Sequence, residues 1–124
     1  MSPRADERYP KCARVRRRRE YLEIQRRGRA VHGAAFLCLV HHREGGGRAR
    51  LGITTTRRFG SAVVRNRTRR QVREAFRRGA LAAPEGVDLV VIAKRSAAGL
   101  GSDAVRADLA RIGRRVRRLL ERST

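Results

Sequence analysis

Arg65-Asn66-Arg67-Thr68-Arg69-Arg70-Gln71-Val72-Arg73-Glu74-Ala75-Phe76-Arg77-Arg78 is half arginine, yet it keeps a helical rhythm. At 100° per residue Val64, Thr68, Val72, Ala75 and Phe76 fall on one stripe. Asn66, Arg69, Arg70, Arg73 and Arg77 project to the other side. One face can therefore bury while the other presents guanidinium groups at about 5.4 Å per turn. Only Glu74 offers an opposing charge. Like charges at i,i+4, as in Arg65/Arg69/Arg73/Arg77, oppose an isolated helix by a few tenths of a kcal/mol per pair. A polyanion outside the chain compensates them, so the stretch reads as a nucleic-acid-binding helix.

The elements on either side set the fold class. Residues 1–15 hold Pro3, Pro10 and scattered charge without periodicity, and read as a basic N-terminal arm. A domain over 16–122 follows. Its first helix runs from about Arg17 to Arg27, with Tyr21, Leu22 and Ile24 as a thin apolar face and Gly28 as its stop. Arg29 to His32 is a short extended piece. Ala34 to His41 reads as a buried strand. Glu44-Gly45-Gly46-Gly47 reads as a hairpin loop, and Ala49 to Thr56 as the next strand. Ser61 is the N-cap of the basic helix, which spans about Ala62 to Arg78. Val87-Asp88-Leu89-Val90-Val91-Ile92-Ala93 is the strongest strand signal. Ala97 to Gly101 reads as a turn. Ser102 caps a last helix with Asp103 in its first turn, and Val105, Leu109, Ile112, Val116 and Leu119/Leu120 form its apolar stripe. The order is α-β-β-β-α-β-α, an α+β single domain with helices packed on a small sheet.

Composition narrows the function classes. The 124 residues carry 32 Lys+Arg against 11 Asp+Glu, a formal charge of +21. Such a chain adsorbs to polyanions, and its stability should rise with phosphate, sulfate or RNA. A membrane surface is the competing partner, but the basic helix lacks a Trp- or Leu-rich insertion face. No apolar run approaches the ~20 residues of a membrane span, and no signal-peptide core is present. The reading is a cytoplasmic protein with no membrane partner and no small-molecule substrate. Cys12 and Cys38 form no disulfide framework, and Cys38 reads as a small core residue. No catalytic or metal-ligating residue is expected in the chain. His41-His42 lacks a carboxylate or thiol at a supporting spacing. The glycines at 45–47 lack a phosphate-loop context, and Asp88, Asp103 and Asp108 do not make a nuclease carboxylate cluster. Tyr21 and Phe36, on a sheet flanked by Lys94 and Arg95, are candidates for stacking an unpaired base.

These residues together resemble the bacterial ribonuclease P protein family. Leu51-Gly52-Ile53-Thr54-Thr55-Thr56-Arg57-Arg58-Phe59-Gly60-Ser61-Ala62-Val63-Val64-Arg65-Asn66-Arg67 looks like that family's strand, loop and signature helix start. Arg69-Arg70 and Arg73-Glu74-Ala75-Phe76 continue it in register. Val90-Val91-Ile92-Ala93-Lys94-Arg95 looks like its last strand, and Arg18-Arg19-Glu20-Tyr21 like its first helix. The resemblance implies an α/β sandwich with a mixed sheet and a left-handed crossover, against the usual right-handed rule. It implies a protein subunit of an endoribonuclease that removes the 5′ leader of precursor tRNA, with Mg2+-assisted hydrolysis performed by a catalytic RNA. Carried over, Arg65, Asn66, Arg67, Arg69, Arg70 and Arg73 face the ribonuclease P catalytic RNA. Tyr21, Phe36, Lys94 and Arg95 line a cleft for the leader, and Arg57 and Arg58 flank it. The family commonly has further aromatics where this chain has Gln25 and Leu39, so stacking in this cleft is thinner. The alternative is a ribosomal or general RNA-binding protein without a role in tRNA processing.

Overall fold

The computed structural model describes residues 14, 15, 17–43, 45–55, 57–81 and 83–122. The chain forms α1 (Arg18–Arg27), β1 (Arg29–His32), β2 (Phe36–His42), β3 (Arg50–Thr54), a 3-10 turn (Arg57–Phe59), α2 (Ala62–Arg77), β4 (Val87–Ala93), a second 3-10 turn (Arg95–Ala97) and α3 (Ser102–Arg122). The element order is the one the sequence implies. Most of the expected N-terminal arm, with Cys12, lies outside the described residues. Its last two residues belong to the fold: Arg14 bridges Leu51, and the Val15 amide donates to the Leu51 carbonyl at 3.0 Å.

The four strands make one mixed sheet in the order β1-β2-β4-β3. β1 and β2 form an antiparallel hairpin, β2 pairs antiparallel with β4, and β3 pairs parallel with β4. The glycine loop is therefore not a hairpin loop. β4 inserts between β2 and β3, and the loop crosses the end of β4, where the Gly86 amide donates to the Gly47 carbonyl at 2.6 Å. Gly45, Gly46 and Gly47 all have φ between +67° and +93°, a left-handed run that side chains with a Cβ resist. β4 sits centrally and is buried almost along its whole length, as its apolar run from Leu89 to Ala93 requires.

The sheet has two unequal faces. Phe36, Cys38, Val40, Leu51, Leu89 and Val91 point to one, where Val72 and Ala75 of α2 and Val105, Leu109, Ile112 and Val116 of α3 complete the main core. α1 lies on the other, where Ile24, Val15 and Val90 make a small cluster edged by Tyr21, Leu39 and Ile92. Local chemistry sets the helix ends. The Val64 amide donates to Ser61 Oγ at 3.3 Å, the expected cap of α2. Gly28 ends α1, its amide donating to the Ile24 carbonyl at 2.7 Å; a Cβ there would strike that same carbonyl oxygen. Ser102 is the first residue of α3 rather than its cap.

Candidate nucleic-acid interface

α2 buries Thr68, Val72 and Ala75, and leaves Asn66, Arg67 and Arg70 exposed. Arg65 is half-buried and donates to the Gly60 carbonyl at 2.8 Å, which fixes the entry to the helix. Glu74 pairs with Arg77 and Arg78 at the far end. Hydrogen bonds from these two guanidinium groups hold its carboxyl down at about 2. The acidic relief thus sits at the C-terminal end of α2, and the exposed Asn66, Arg67 and Arg70 lie upstream of it. Gln71 donates to the Leu100 carbonyl at 3.0 Å and ties the helix to the turn before α3.

Arg69 and Arg73 are half-buried, so the sequence reading of a uniformly solvent-facing arginine row needs correction. The Arg69 Nε is enclosed without a hydrogen-bond partner. Arg69 lies close enough to Tyr21 to act on its phenol electrostatically. α2 packs on the main-core face and Tyr21 lies on the other, so the two meet past the edge strand β3. Tyr21 rests on Gly52 of that strand: a Cβ at Gly52 would lie 2.8 Å from the Tyr21 ring and hydroxyl. Burial raises the Tyr21 hydroxyl above its ordinary value, while the Ile53 backbone and Arg69 pull it down and Glu20 adds to the rise.

Beyond Tyr21 the α1 face is open. Leu37 and Ile92, paired across β2 and β4, are only half-buried, as are Leu39 and Thr54. Lys94 closes this end, its Nζ donating to the Gly33 carbonyl at 2.7 Å. Arg95 and Arg58 are exposed. The Arg57 side chain lies outside the described residues. Phe36 does not belong to this surface. It is fully buried in the main core, opposite Ala93, on the face away from Tyr21. One residue along a strand reverses the side-chain direction, so Leu37, not Phe36, floors the open face.

Beneath α1, at the other end of the sheet from Lys94, a cleft of about 480 Å³ is lined by Arg19, Glu20, Arg27, His41, Arg43 and Arg50, among others. Its base is Asp88, 2% exposed. Arg50 donates to both Asp88 oxygens at 2.8 Å and to Glu20 at 2.7 Å, and Arg43 also pairs with Asp88. This network straps α1 to β3 and β4, and sequence reading missed it. Its available signal was alternation: with Leu51 and Ile53 facing the core, Arg50 must face α1. Among the described residues no group of three His, Cys, Asp or Glu side chains could hold a metal ion, and no helix is long and apolar enough to cross a membrane.

The family model described as Ribonuclease P matches residues 9–117. The chain belongs to the ribonuclease P protein family. It is 40% identical over 99 residues to the ribonuclease P protein component of Gluconacetobacter diazotrophicus, covering 79% of this chain and 85% of that one. It is 40% identical over 118 residues to that of Desulfovibrio desulfuricans, covering 93% and 91%. The solved RNase P protein from Thermotoga maritima superposes with a TM-score of 0.71 at 35% identity, over 82% of this chain and 96% of that chain. Members of the family serve tRNA processing as the protein subunit of an endoribonuclease, and membership sets aside the ribosomal or general RNA-binding alternative.

Proposed function

We propose that this chain binds the catalytic RNA of ribonuclease P along α2 and holds the 5′ leader of precursor tRNA on the open face beside Tyr21. The observation that carries this reading is the approach of Arg69 to Tyr21 past the edge of β3. It brings the arginine helix and the face that α1 leaves open within electrostatic reach of each other. Arg65, Arg67, Arg69, Arg70 and Arg73 offer forked donors suited to phosphate oxygens, and Asn66 adds an amide donor. Tyr21 with Leu37 and Ile92 offers a flat apolar floor for unpaired bases, and Lys94, Arg95, Arg57 and Arg58 offer charge for their phosphates. By neutralising both strands the protein relieves the repulsion between a catalytic RNA and its substrate.

The hydrolytic chemistry is assigned to the RNA and to Mg2+ held mainly by it. Asp88 and Asp108, the buried carboxylates among the described residues, do not fit a metal centre: Asp88 is occupied by Arg43 and Arg50, and both oxygens of Asp108 accept backbone amides. The working compartment is the cytoplasm, where precursor tRNA is met. The test is reconstitution of the full chain with a bacterial ribonuclease P RNA and labelled precursor tRNA at low magnesium. Cleavage at the mature 5′ end only when protein and RNA are both present is the expected result. Salt-sensitive RNA binding without stimulated cleavage would overturn the reading.

A further inference from the structure

α3 carries a second arginine stripe that neither the α2 surface nor the open face uses. Arg111, Arg114, Arg115, Arg118 and Arg122 fall within about 100° of one another around the helix axis, and all are exposed. The stripe is built into a groove of about 440 Å³ between α3 and the β1–β2 turn, where His32 to Ala34 form the opposite wall. That wall is fixed. Asp108, 3% exposed, accepts the Ala34 and Ala35 amides at 3.0 Å each. Arg115 donates to the His32 carbonyl at 2.6 Å. Asp108 is thereby committed to the turn, and of the stripe only Arg111 reaches it, at 3.4 Å. Glu121 is the one carboxylate on the C-terminal half of α3. Like charges at i,i+4, Arg111/Arg115 and Arg114/Arg118, are left facing one another.

We infer that this groove is a second phosphate-binding surface, and that its occupant is a further segment of the catalytic RNA rather than the substrate. The inference rests on the assignment of α2 to that RNA. α3 packs beside α2 on the same face of the sheet, so an RNA seated on α2 that crosses α3 reaches the groove at the β1 edge. The leader is assigned to the α1 face, whose Lys94 touches the groove's wall through the Gly33 carbonyl. The rigid turn and the charge make the groove complementary to a run of backbone phosphates read without base specificity.

The experiment measures affinity against salt concentration for two RNAs separately, the catalytic RNA and a leader-bearing precursor tRNA. It compares the wild-type chain, R114Q/R115Q/R118Q, R114K/R115K/R118K, and R67Q/R70Q on α2. With the catalytic RNA, the α3 glutamine variant should show a slope of log affinity against log salt shallower by roughly 2–3, since each phosphate contact contributes about 0.7–0.9. The lysine variant should keep the wild-type slope, and precursor tRNA binding should not change. An unchanged slope beside a weakened R67Q/R70Q overturns the inference alone. No change in either overturns the assignment of α2 with it. A loss confined to precursor tRNA, or equal loss in the lysine and glutamine variants, also overturns it.

Discussion

The two faces of the sheet differ in what they bury. One is closed by two helices over Phe36, Cys38, Leu89, Val91, Leu109 and Ile112, with Thr68 and Asp108 the buried polar groups those helices bring. The other is covered by a single short helix through Ile24, Val15 and Val90, and its remaining area is held by ions and by a tyrosine lying on a glycine. The difference teaches a division of labour along each strand. Alternate residues of β2 and β4 supply stability on one side and a partly uncovered surface on the other. A protein of this size can keep such a surface because the closed face alone supplies a contiguous core.

Adjacent residues of β2 offer the sharpest way to break that comparison. Phe36→Ala empties a fully buried site and should cost about 3–5 kcal/mol in denaturant unfolding. Leu37→Ala, one residue on, should cost far less, because its side chain is only half-buried, and should instead weaken leader binding in a fluorescence titration. Equal destabilisation by both would mean that the two faces are not distinct. Next in size is Asp88→Ala, which strands Arg43 and Arg50 in the strap beneath α1. A cost of about 3 kcal/mol is expected, at the low end for a broken buried pair because the two arginines keep 17% and 20% exposure. Replacing Asp88 should also loosen α1, which faster amide exchange at Ile24 and Gly28 would report. If α1 exchanged as in the wild type, the strap would have no role in holding it.

Much of this contrast was legible in the sequence. The β4 run, the apolar stripes of α2 and α3, the Ser61 cap and the glycine stop of α1 each rest on local periodicity or end chemistry, and local rules suffice for them. The sheet order was not local. The glycine loop carries the composition of a hairpin, but nothing within it announces that β4, some forty residues later, will part β2 from β3. Phe36 was misplaced because an uninterrupted apolar run does not fix its own phase, so which residues face the core is decided by register against β4. The α2 arginines were identifiable from charge and spacing, whereas the burial of Arg69 depends on its approach to Tyr21 past β3. The Asp88 network joins α1, β3, β4 and the residue after β2: alternation gives the side that Arg50 faces, but nothing local names its partners.

A smaller effect is expected where the two RNA surfaces meet. In Gly52→Ala the new methyl would overlap the Tyr21 ring, which can swing away because its outer side is open. The stability change should stay near 1 kcal/mol, at the low end of overpacking costs. The displaced phenol should nonetheless reduce leader affinity as much as Tyr21→Ala does. If Gly52→Ala bound the leader like the wild type, the position of the Tyr21 ring would not matter to it.

Alkali separates the two faces without a mutation. Burial pushes the Cys38 thiol up to about 12 from an ordinary value near 9, while the half-buried Tyr21 hydroxyl is raised by a similar cause that Ile53 and Arg69 oppose. In both, the folded state holds its proton more tightly than the unfolded chain. The stability each contributes is therefore complete below the unfolded value and is lost as pH rises toward the folded one, with a limiting slope of about 1.4 kcal/mol per pH unit for a single group. For Cys38 that window runs upward from about pH 9. Unfolding in denaturant at pH about 8 and about 10.5 should show a drop that Cys38→Ala largely removes and Tyr21→Phe reduces less. The ranking follows from the faces themselves: a thiol sealed under two helices has no water to stabilise its thiolate, whereas a phenol on an open face has both solvent and a nearby guanidinium. A larger relief from Tyr21→Phe would mean that the open face is the drier of the two, and the assignment of the leader to it would lose its physical basis.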